Sequence, residues 1–262
     1  MAILLNFTSV KNGVGRTTLA AIVAQHLASN NKKILLIDNN YKFSDLEKVL
    51  CADPKYSVDD IKPFIQKNTD IDLDAFKLFT CEINDRFYLL AGSRIKNSIN
   101  ILSAEEIYQI KNFIDDEYDY IIIDSRAGLD KKEHYMLYKE KESKTIIVLQ
   151  ASKIEIEELK NQLRNIQQED EHAYTGLIEE SVFVLNRYHE EVDFNTKELL
   201  KFNRDIFKLE YEPAIVNYSN GYDTKLKSVN RATISKLLEN ITNEERQTVQ
   251  KQTFFKRIFS LG

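Results

Sequence analysis

Short runs of consecutive apolar residues recur along the chain and are separated by segments with a helical pattern. Several runs are apolar at every position instead of alternating, which indicates strands buried on both faces of a parallel sheet. We predict strands over residues 2–7, 33–38, 86–92, 118–124, 144–150, 181–186 and 206–211. Helical periodicity falls between them, at residues 16–29, 58–67, 103–116, 130–142, 153–169, 195–203 and 224–241.

This alternation of strands and helices predicts an α/β fold with a mostly parallel central sheet and helices on both faces, which makes three layers. Ligands of such sheets bind beyond the carboxyl ends of the strands. We therefore expect the functional loops to follow the strands that end near Phe7, Asp38 and Asp124.

The chain has only 7 Gly and 3 Pro in 262 residues, so no Gly- or Pro-rich linker marks a domain boundary. Ser103 and Glu106 have the spacing of a capping box, so a helix is expected to begin there. We predict one domain over residues 1–242. Residues 243–262 are predicted to form a polar connector and an amphipathic C-terminal helix.

Composition narrows the class of protein. Hydrophobic residues make up 43% of the chain and charged residues 29%, which is typical of a globular protein with a substantial core. The net charge of −5 argues against a general nucleic-acid coat. Two cysteines without metal-type spacing favour a reducing cytosol. The first residues lack the basic region of a signal peptide, and no run approaches the length of a transmembrane helix.

The stretch SVKNGVGRTTLA, residues 9–20, lies between the first predicted strand and the first predicted helix. A phosphate-binding loop presents backbone N–H groups and a helix N-terminus to the anion, and it needs glycine where the chain turns tightly. The alternative is a plain strand–turn–helix connection that contains two glycines. The candidate nucleotide-binding residues here are Lys11, Asn12, Gly13, Val14, Gly15, Arg16, Thr17 and Thr18.

The segment KNGVGRTT resembles the deviant Walker A loop of the MinD/ParA family of P-loop ATPases, whose pattern is Lys-Gly-Gly-x-Gly-Lys-Thr-Thr. The ordinary Walker A pattern fails twice, because Val10 replaces its first Gly and Arg16 replaces its Lys. The resemblance implies a P-loop NTPase fold that binds ATP and Mg²⁺. It also implies an ATP-dependent homodimer in which Lys11 reaches the phosphates of the partner.

Later stretches resemble the same family in the same order, over nearly the whole chain. In LIDNNY, Asp38 matches the first acid of the family's Asp-x-Asp switch, but Asn40 stands at the second. In YDYIIIDSRAGLD, Asp124 matches the Walker B acid. In SVFVLNRY, Asn186 and Arg187 match a pair that reads adenine. The resemblance thus implies catalytic roles for Lys11, Asp38 and Asn40, and a magnesium site formed by Thr17, Asp38 and Asp124.

Two departures from the family pattern bear on turnover. Arg16 keeps the charge of the family's lysine but has a longer, planar head group. Asn40 cannot accept a proton as a carboxylate does. Because phosphoryl transfer depends on positioning and charge, we expect ATP hydrolysis to be slow or absent. The alternative is that a neighbouring acid such as Asp45 takes over and turnover persists.

The chain ends in QKQTFFKRIFSLG, in which residues 250–262 place aromatic and aliphatic side chains on one helical face and cations beside it. This segment is similar to the membrane-targeting tail of MinD proteins, which implies a cytoplasmic protein bound peripherally to the inner face of the cell membrane. The alternatives are a helix docked on the core and an apolar edge used in a dimer.

Within the family, the segment KFSDLEKVLCADPKYSVDDI looks closest to MinD and to the pilus localisation factors CpaE/TadZ. The leading hypothesis is an ATP-binding dimerisation switch that positions partner proteins at the membrane, with weak or absent hydrolysis. A pseudo-ATPase scaffold for pilus or septum positioning is a second hypothesis, and a ParA-type DNA-segregation ATPase is a third. We expect nucleic acid not to be the partner, and the sequence does not indicate which protein is.

Overall fold

One eight-stranded sheet runs through the part of the chain that the computed structural model describes, which is residues 2–40, 45–67, 72–95, 101–114, 116–139, 143–150, 152–189, 199–200, 202, 205–213 and 226–242. Its strand order is β3-β4-β2-β5-β1-β6-β7-β8. The strands are β1 (Ile3–Thr8), β2 (Ile34–Asn39), β3 (Cys81–Asn84), β4 (Phe87–Leu90), β5 (Tyr120–Ser125), β6 (Ser143–Gln150), β7 (Ser181–Tyr188) and β8 (Ile206–Glu210). Neighbouring strands are parallel except for the antiparallel pair β3–β4.

Helices cover both faces of this sheet. They are α1 (Arg16–Ser29), α2 (Leu46–Val49), α3 (Val58–Gln66), α4 (Leu73–Leu78), α5 (Ala104–Ile114), α6 (Tyr135–Lys139), α7 (Lys153–Glu169), α8 (Glu171–Glu180) and α9 (Ser228–Thr242), with a 3₁₀ helix at Lys132–His134. Consecutive strand residues belong to different cores: Ile122 packs with α1 and α9, whereas Ile121 packs with α3 and α5. The α/β class and the mostly parallel sheet with helices on both faces are therefore confirmed.

Some predicted elements differ from those in the structure. The helix predicted over residues 130–142 is a 3₁₀ turn followed by the short α6, and its last residues lie outside the described part of the chain. Strand β3 and helices α2, α4 and α8 were not predicted. The helix expected over 195–203 falls mostly outside the described residues. The capping box is present, because Glu106 Oε2 accepts from Ser103 N at 2.8 Å and Ser103 Oγ accepts from Glu106 N at 3.2 Å.

The carboxyl ends of the central strands meet at one edge of the sheet. In the parallel register, Phe7 of β1 and Asp38 of β2 both lie opposite Asp124 of β5. This places the loops after these three strands side by side, where the strand pattern predicts a ligand site.

The domain boundary predicted at residue 242 stays a prediction, because residues 243–262 lie outside the described part of the chain. The predicted amphipathic helix over 250–262 therefore stays a prediction. Within the described residues, no helix combines the length and apolar character that crossing a bilayer requires.

Candidate functional site

The loop between β1 and α1 turns through two glycines. Gly13 and Gly15 have φ values of +82° and +89°, which are backbone conformations that favour glycine. Gly15 is the N-cap of α1, no side chain caps this terminus, and no acidic residue occupies its first turn. The first backbone N–H groups of the helix therefore keep their capacity to bind an anion.

Asn186 at the end of β7 supports this loop. Its Nδ2 donates to the carbonyl oxygen of Val14 at 2.7 Å, and its Oδ1 accepts from the backbone N–H of Arg187 at 2.9 Å. A Cβ atom built on Gly15 would lie 2.2 Å from Asn186 Nδ2. Glycine at position 15 is thus required both by its φ value and by the close approach of β7, and the Asn186 amide is engaged with the loop.

Arg16 does not extend freely into solvent. Its Nε donates to Asp124 Oδ1 at 2.6 Å and its Nη1 to Ser9 Oγ at 3.1 Å, and its side chain is 5% exposed. Thr17 Oγ1 donates to the other carboxylate oxygen, Asp124 Oδ2, at 2.7 Å. The arginine and the candidate metal-facing threonine therefore share one buried carboxylate.

Lys11, at the start of the same loop, forms a second ion pair. Its Nζ lies 2.8 Å from Glu155 Oε1 on the first turn of α7. The lysine side chain is 46% exposed, whereas that of Glu155 is fully buried. The loop is thus joined to the protein by a cation at each end, and each cation has a buried carboxylate as its partner.

The predicted switch after β2 carries a buried acid that holds the backbone. Asp38 Oδ1 accepts from Asn40 N at 3.2 Å, and Oδ2 accepts from Leu46 N at 3.3 Å. Asn40 is buried, whereas the Asp45 side chain is exposed and pairs with Lys48 at 2.8 Å. Asp38 therefore fixes the path of the chain into α2, and Asn40 and Asp45 are the polar groups that reach the cavity.

A cavity of about 520 Å³ lies over the loop and is lined by residues 12–18 together with Ser9, Asn40, Asp45, Val49 and Arg187. A smaller cavity of about 80 Å³ adjoins it at Gly15 and Thr18, and Tyr211 and Glu212 line its far side. Arg187 borders both cavities and has a φ of +55°, an uncommon backbone conformation for a residue with a side chain. The two cavities share Gly15, Thr18 and Arg187 as lining residues.

Gln162 of α7 links the loop after β1 to the loop after β5. Its Nε2 donates to Val10 O at 3.2 Å, and its Oε1 accepts from Leu129 N at 2.7 Å. Gly128 N also donates to Ser9 O at 2.8 Å. These buried contacts couple the positions of the two loops that border Asp124.

His134 lies beneath the loop after β5 and is fully buried. Burial is the main cause that lowers the pKa of this histidine to about 3, and the positive charges of Arg126 and Arg16 lower it further. The imidazole is therefore neutral at physiological pH, which avoids placing a third cation beside Arg16 and Arg126.

The donor set at this edge of the sheet fits a hard cation. The Thr17 hydroxyl is fixed by Asp124 Oδ2 and keeps oxygen lone pairs for a metal ion, and oxygen ligands are those that Mg²⁺ prefers. Within the described residues, no group of three or more His, Cys, Asp or Glu side chains forms a metal cluster. A magnesium ion would therefore need phosphate oxygens to complete its coordination.

The structure brings together most of the residues singled out from the sequence. Residues 12–18, Asn40 and Arg187 line the large cavity, and Asp38, Asp124 and Asn186 lie directly behind it. Lys11 points instead toward α7. Sequence reasoning missed Glu155, Gln162 and Ser9. Glu155 and Gln162 contact the loop from a distant segment and have no local sequence signal, whereas the Ser9 side chain contacts Lys11 and Arg16 within the same stretch.

Comparisons with known proteins agree with this geometry. The family described as AAA domain matches residues 3–177. The septum site-determining protein MinD of Helicobacter pylori is 32% identical over 139 residues, which cover 53% of this chain and 50% of that protein. The chain thus spans about half the length of the relative it matches.

Two solved structures have a similar fold. The ParA family ATPase from Chlorobium tepidum superposes with a TM-score of 0.73 and 19% identity, over 90% of this chain and 98% of that chain. MinD from Pyrococcus horikoshii, solved as a complex with Mg-ADP, gives a TM-score of 0.61 and 18% identity, over 89% and 93% of the two chains. At these identities the likeness establishes the fold alone.

Proposed function

This chain belongs to the AAA-domain family and within it to the MinD/ParA P-loop ATPases, and from that premise we propose that it is an ATP-binding switch that dimerises and positions partner proteins at the membrane. We further propose that it hydrolyses ATP slowly or not at all. The observation that carries the proposal is the uncapped N-terminus of α1 beneath a cavity of about 520 Å³, with the Thr17 hydroxyl held by Asp124.

The phosphates are proposed to bind at the loop. The backbone N–H groups that follow Gly13 and Gly15, together with the positive end of the α1 dipole, provide donors for phosphate oxygens. Thr17 and Asp124 would hold Mg²⁺, which neutralises phosphate charge when bound. The complex of Pyrococcus horikoshii MinD with Mg-ADP supports this proposal, since that protein has a similar fold.

The base is proposed to lie in the smaller cavity next to Gly15. Arg187 and Tyr211 line it, and the peptide backbone at Arg187 is fixed by the Asn186 side chain. With its amide bound to Val14 O and Arg187 N, Asn186 contributes by holding the loop and the base-side backbone together. This arrangement ties the phosphate end of the site to the base end.

Weak hydrolysis is proposed from the polar groups that border the cavity. Asn40 is placed there but cannot accept a proton, and the Arg16 charge is already engaged by Asp124. Asp45 also lines the cavity, so the alternative that it acts as the missing acid has structural support. Its pairing with Lys48 reduces its availability as a proton acceptor.

Calorimetric titration of the purified full-length chain with ATP and with ADP, in millimolar magnesium, tests nucleotide binding. We expect saturable binding of both nucleotides, because the loop donors contact phosphates that both share. If neither nucleotide gives heat of binding, and equilibrium dialysis also detects no binding, the proposed function is wrong.

Phosphate release tests the hydrolysis proposal. Replacement of Asn40 by Asp restores a carboxylate at the cavity, and we expect the turnover rate to rise about tenfold or more. Asp45→Asn is the matched variant, and it should leave the low rate unchanged. A wild-type rate typical of the family, lost in Asp45→Asn, would show that Asp45 performs the role.

Membrane attachment is proposed from residues 250–262, whose basic and aromatic composition suits an anionic lipid surface. Sedimentation with vesicles of anionic phospholipid should retain the full-length chain in ATP, because a dimer presents two tails. Deletion of residues 250–262 should abolish retention. Equal retention of the truncated chain would contradict the proposed role of the tail.

A pseudo-ATPase scaffold is the second candidate, and the Arg16–Asp124 pair favours it. A scaffold would bind nucleotide without a change of oligomeric state. Light scattering in ATP and in ADP separates the two functions, since the proposed switch dimerises in ATP and the scaffold has the same mass in both.

A further inference from the structure

Asp124, the acid near the end of β5, already has a donor on each of its two carboxylate oxygens. Arg16 Nε donates to Oδ1 at 2.6 Å, and Thr17 Oγ1 donates to Oδ2 at 2.7 Å. The side chain of Asp124 is fully buried, and that of its arginine partner is 5% exposed. The charge of this acid is therefore neutralised by the chain itself.

The guanidinium group of Arg16 is fixed from a second side. Its Nη1 donates to Ser9 Oγ at 3.1 Å, and the same hydroxyl donates to Lys11 O at 2.8 Å. Two contacts in different directions hold a planar fork more firmly than a single contact holds an ammonium group. A ligand in the cavity therefore meets Arg16 and Asp124 as one neutral, buried pair.

Two further acids near the cavity are compensated by other groups of the chain. Asp38, which lies behind the cavity, accepts from the backbone N–H groups of Asn40 and Leu46. Asp45, on the cavity wall, pairs with Lys48 at 2.8 Å. Asn40 contributes a neutral amide to the same wall, where the family pattern has an acid. Each of these acids thus has its own donors before any ligand binds.

The other groups of the cavity wall favour an anion. Arg187 borders both cavities, and the N-terminus of α1 presents backbone N–H groups with no capping side chain and no acid in its first turn. A helix N-terminus attracts anions through its dipole and its free donors. These groups can bind phosphate without the help of a metal ion.

We infer that this chain binds ATP and ADP without a divalent cation, because Arg16 supplies at Asp124 the positive charge that bound magnesium would otherwise supply. The inference rests on the proposed function, since it concerns the nucleotide of that function. Magnesium carried by the nucleotide still meets Thr17, but it has no unpaired charge at Asp124 to neutralise. Arg16 therefore determines that metal-free and metal-bound nucleotides bind with similar affinity.

The test is calorimetric titration of the purified full-length chain with ADP, in millimolar Mg²⁺ and in excess EDTA at the same ionic strength. ADP is used because it excludes any contribution from hydrolysis. We expect the dissociation constants in the two buffers to agree within about twofold, since the Arg16–Asp124 pair is the same in both.

The variant Arg16→Gln leaves Asp124 negatively charged next to the bound phosphates. Like charges repel strongly where water is excluded, so the affinity for ADP in EDTA should fall about tenfold or more. Mg²⁺ should restore most of this affinity, because the freed carboxylate oxygen attracts a cation. Lys48→Gln is the matched control. It also removes a cation paired with an acid of the cavity wall, but that pair is exposed and screened by solvent, so the two constants should still agree.

A double variant shows whether the effect acts through Asp124. Arg16→Gln/Asp124→Asn removes both charges, so the nucleotide again meets a neutral pair, and its affinity in EDTA should return to within about threefold of wild type. If Arg16→Gln does not fold by circular dichroism, Arg16→Lys replaces it. The compact ammonium group of that variant is drawn toward the phosphates, so it should show the same dependence on Mg²⁺ to a smaller extent.

The outcomes separate the inference from the function it rests on. Binding of ADP by the wild type in Mg²⁺ but not in EDTA would overturn the inference and leave the proposed function standing. The inference also fails if Arg16→Gln, or Arg16→Lys in its place, binds in EDTA as well as wild type. A loss that persists in the double variant overturns it too, because the guanidinium group would then bind phosphate directly. If the wild type binds nucleotide in neither buffer, it is the proposed function that fails.

Discussion

Lys11 and Arg16, at the two ends of the loop between β1 and α1, are held in different ways. At the start of the loop, Lys11 is about half exposed and lies against Glu155. At its end, Arg16 is almost completely buried and contacts both Asp124 and Ser9. Both carboxylates are fully buried, so the difference lies in the cations and in what can reach them.

Because of this difference, the partner of Lys11 can be replaced by another group, whereas the partner of Arg16 is permanent. Solvent and ligands can approach Lys11 without any change in the backbone, whereas the contact of Arg16 with Asp124 lies beneath the loop. The arginine fork, with two hydrogen bonds to different groups, also has a defined geometry that a lysine would lack. The Arg16 end is therefore a fixed part of the site, and the Lys11 end is the part that can respond to another molecule.

The largest effect is expected when the buried ion pair between Arg16 and Asp124 is broken. Asp124→Asn leaves the Arg16 guanidinium without a charged partner, so the free energy of unfolding should fall by about 3–5 kcal/mol. Urea denaturation measures it. The double variant Arg16→Gln/Asp124→Asn should recover most of the loss, and a single variant as stable as wild type would show that the pair is not important for stability.

The next largest effect concerns the residue directly before Arg16. Gly15→Ala combines a φ of +89° with a Cβ that would lie 2.2 Å from Asn186 Nδ2, so we expect a loss of about 2–3 kcal/mol and weaker nucleotide binding. Gly13→Ala is the matched control, because its φ is +82° but no atom lies within 4 Å of the added Cβ. Equal losses in the two variants would mean that the contact with Asn186 has no cost.

The free energy of unfolding should also depend on pH, because His134 is buried near Arg16. Its pKa is about 3 in the folded protein against 6.5 ordinarily, so below about pH 6.5 the unfolded chain binds a proton that the folded chain does not. The free energy of unfolding should therefore fall as the pH decreases through 6.5, with a slope that approaches about 1.4 kcal/mol per pH unit once the unfolded histidine is fully protonated.

His134→Gln should remove this slope between pH 7 and pH 5.5 in denaturation experiments, whereas His172→Gln, on the exposed surface of α8, should retain it. A slope that persists in His134→Gln would assign the pH response to other groups.

The smallest effect is expected at the exposed end. Lys11→Met leaves the buried Glu155 Oε1 without its cation. Because the Lys11 side chain is about half exposed, water can take the place of the ammonium group, and the free energy of unfolding should fall by only about 1 kcal/mol. Added salt should reduce the difference between variant and wild type, because the Lys11 side chain is accessible to ions. If Lys11→Met lowered the free energy of unfolding as much as Asp124→Asn, the Lys11–Glu155 and Arg16–Asp124 pairs would not differ in the way described.

The order of the elements could be predicted because most strands are buried on both faces. Runs such as ILLID and YIIID have no competing helical pattern, and their strands were found within one or two residues of the prediction. Strand β3 was missed because its four residues are half-buried or exposed and include Glu82 and Asn84. Helix α8 was missed because Asp170 alone separates it from α7.

The site was predictable where its chemistry is contiguous in sequence. Gly13, Gly15 and Thr17 are marked by local spacing, and the end of a buried strand marks Asp124. The partners of the two cations were not predictable in the same way. Glu155 is one of several acids on α7, and its burial next to Lys11 is set by how that helix packs against the loop after β1.

Gln162 connects α7 to two loops at once. Because one amide group bonds to Val10 and to Leu129, neither loop can shift without pulling on the same helix. Gln162 is the tenth of the 17 residues of α7, so a shift of either loop would act on the middle of a helix about 25 Å long. The far end of that helix packs with α8 in the same core cluster, so α7 joins the loops beside Asp124 to the packing of α8.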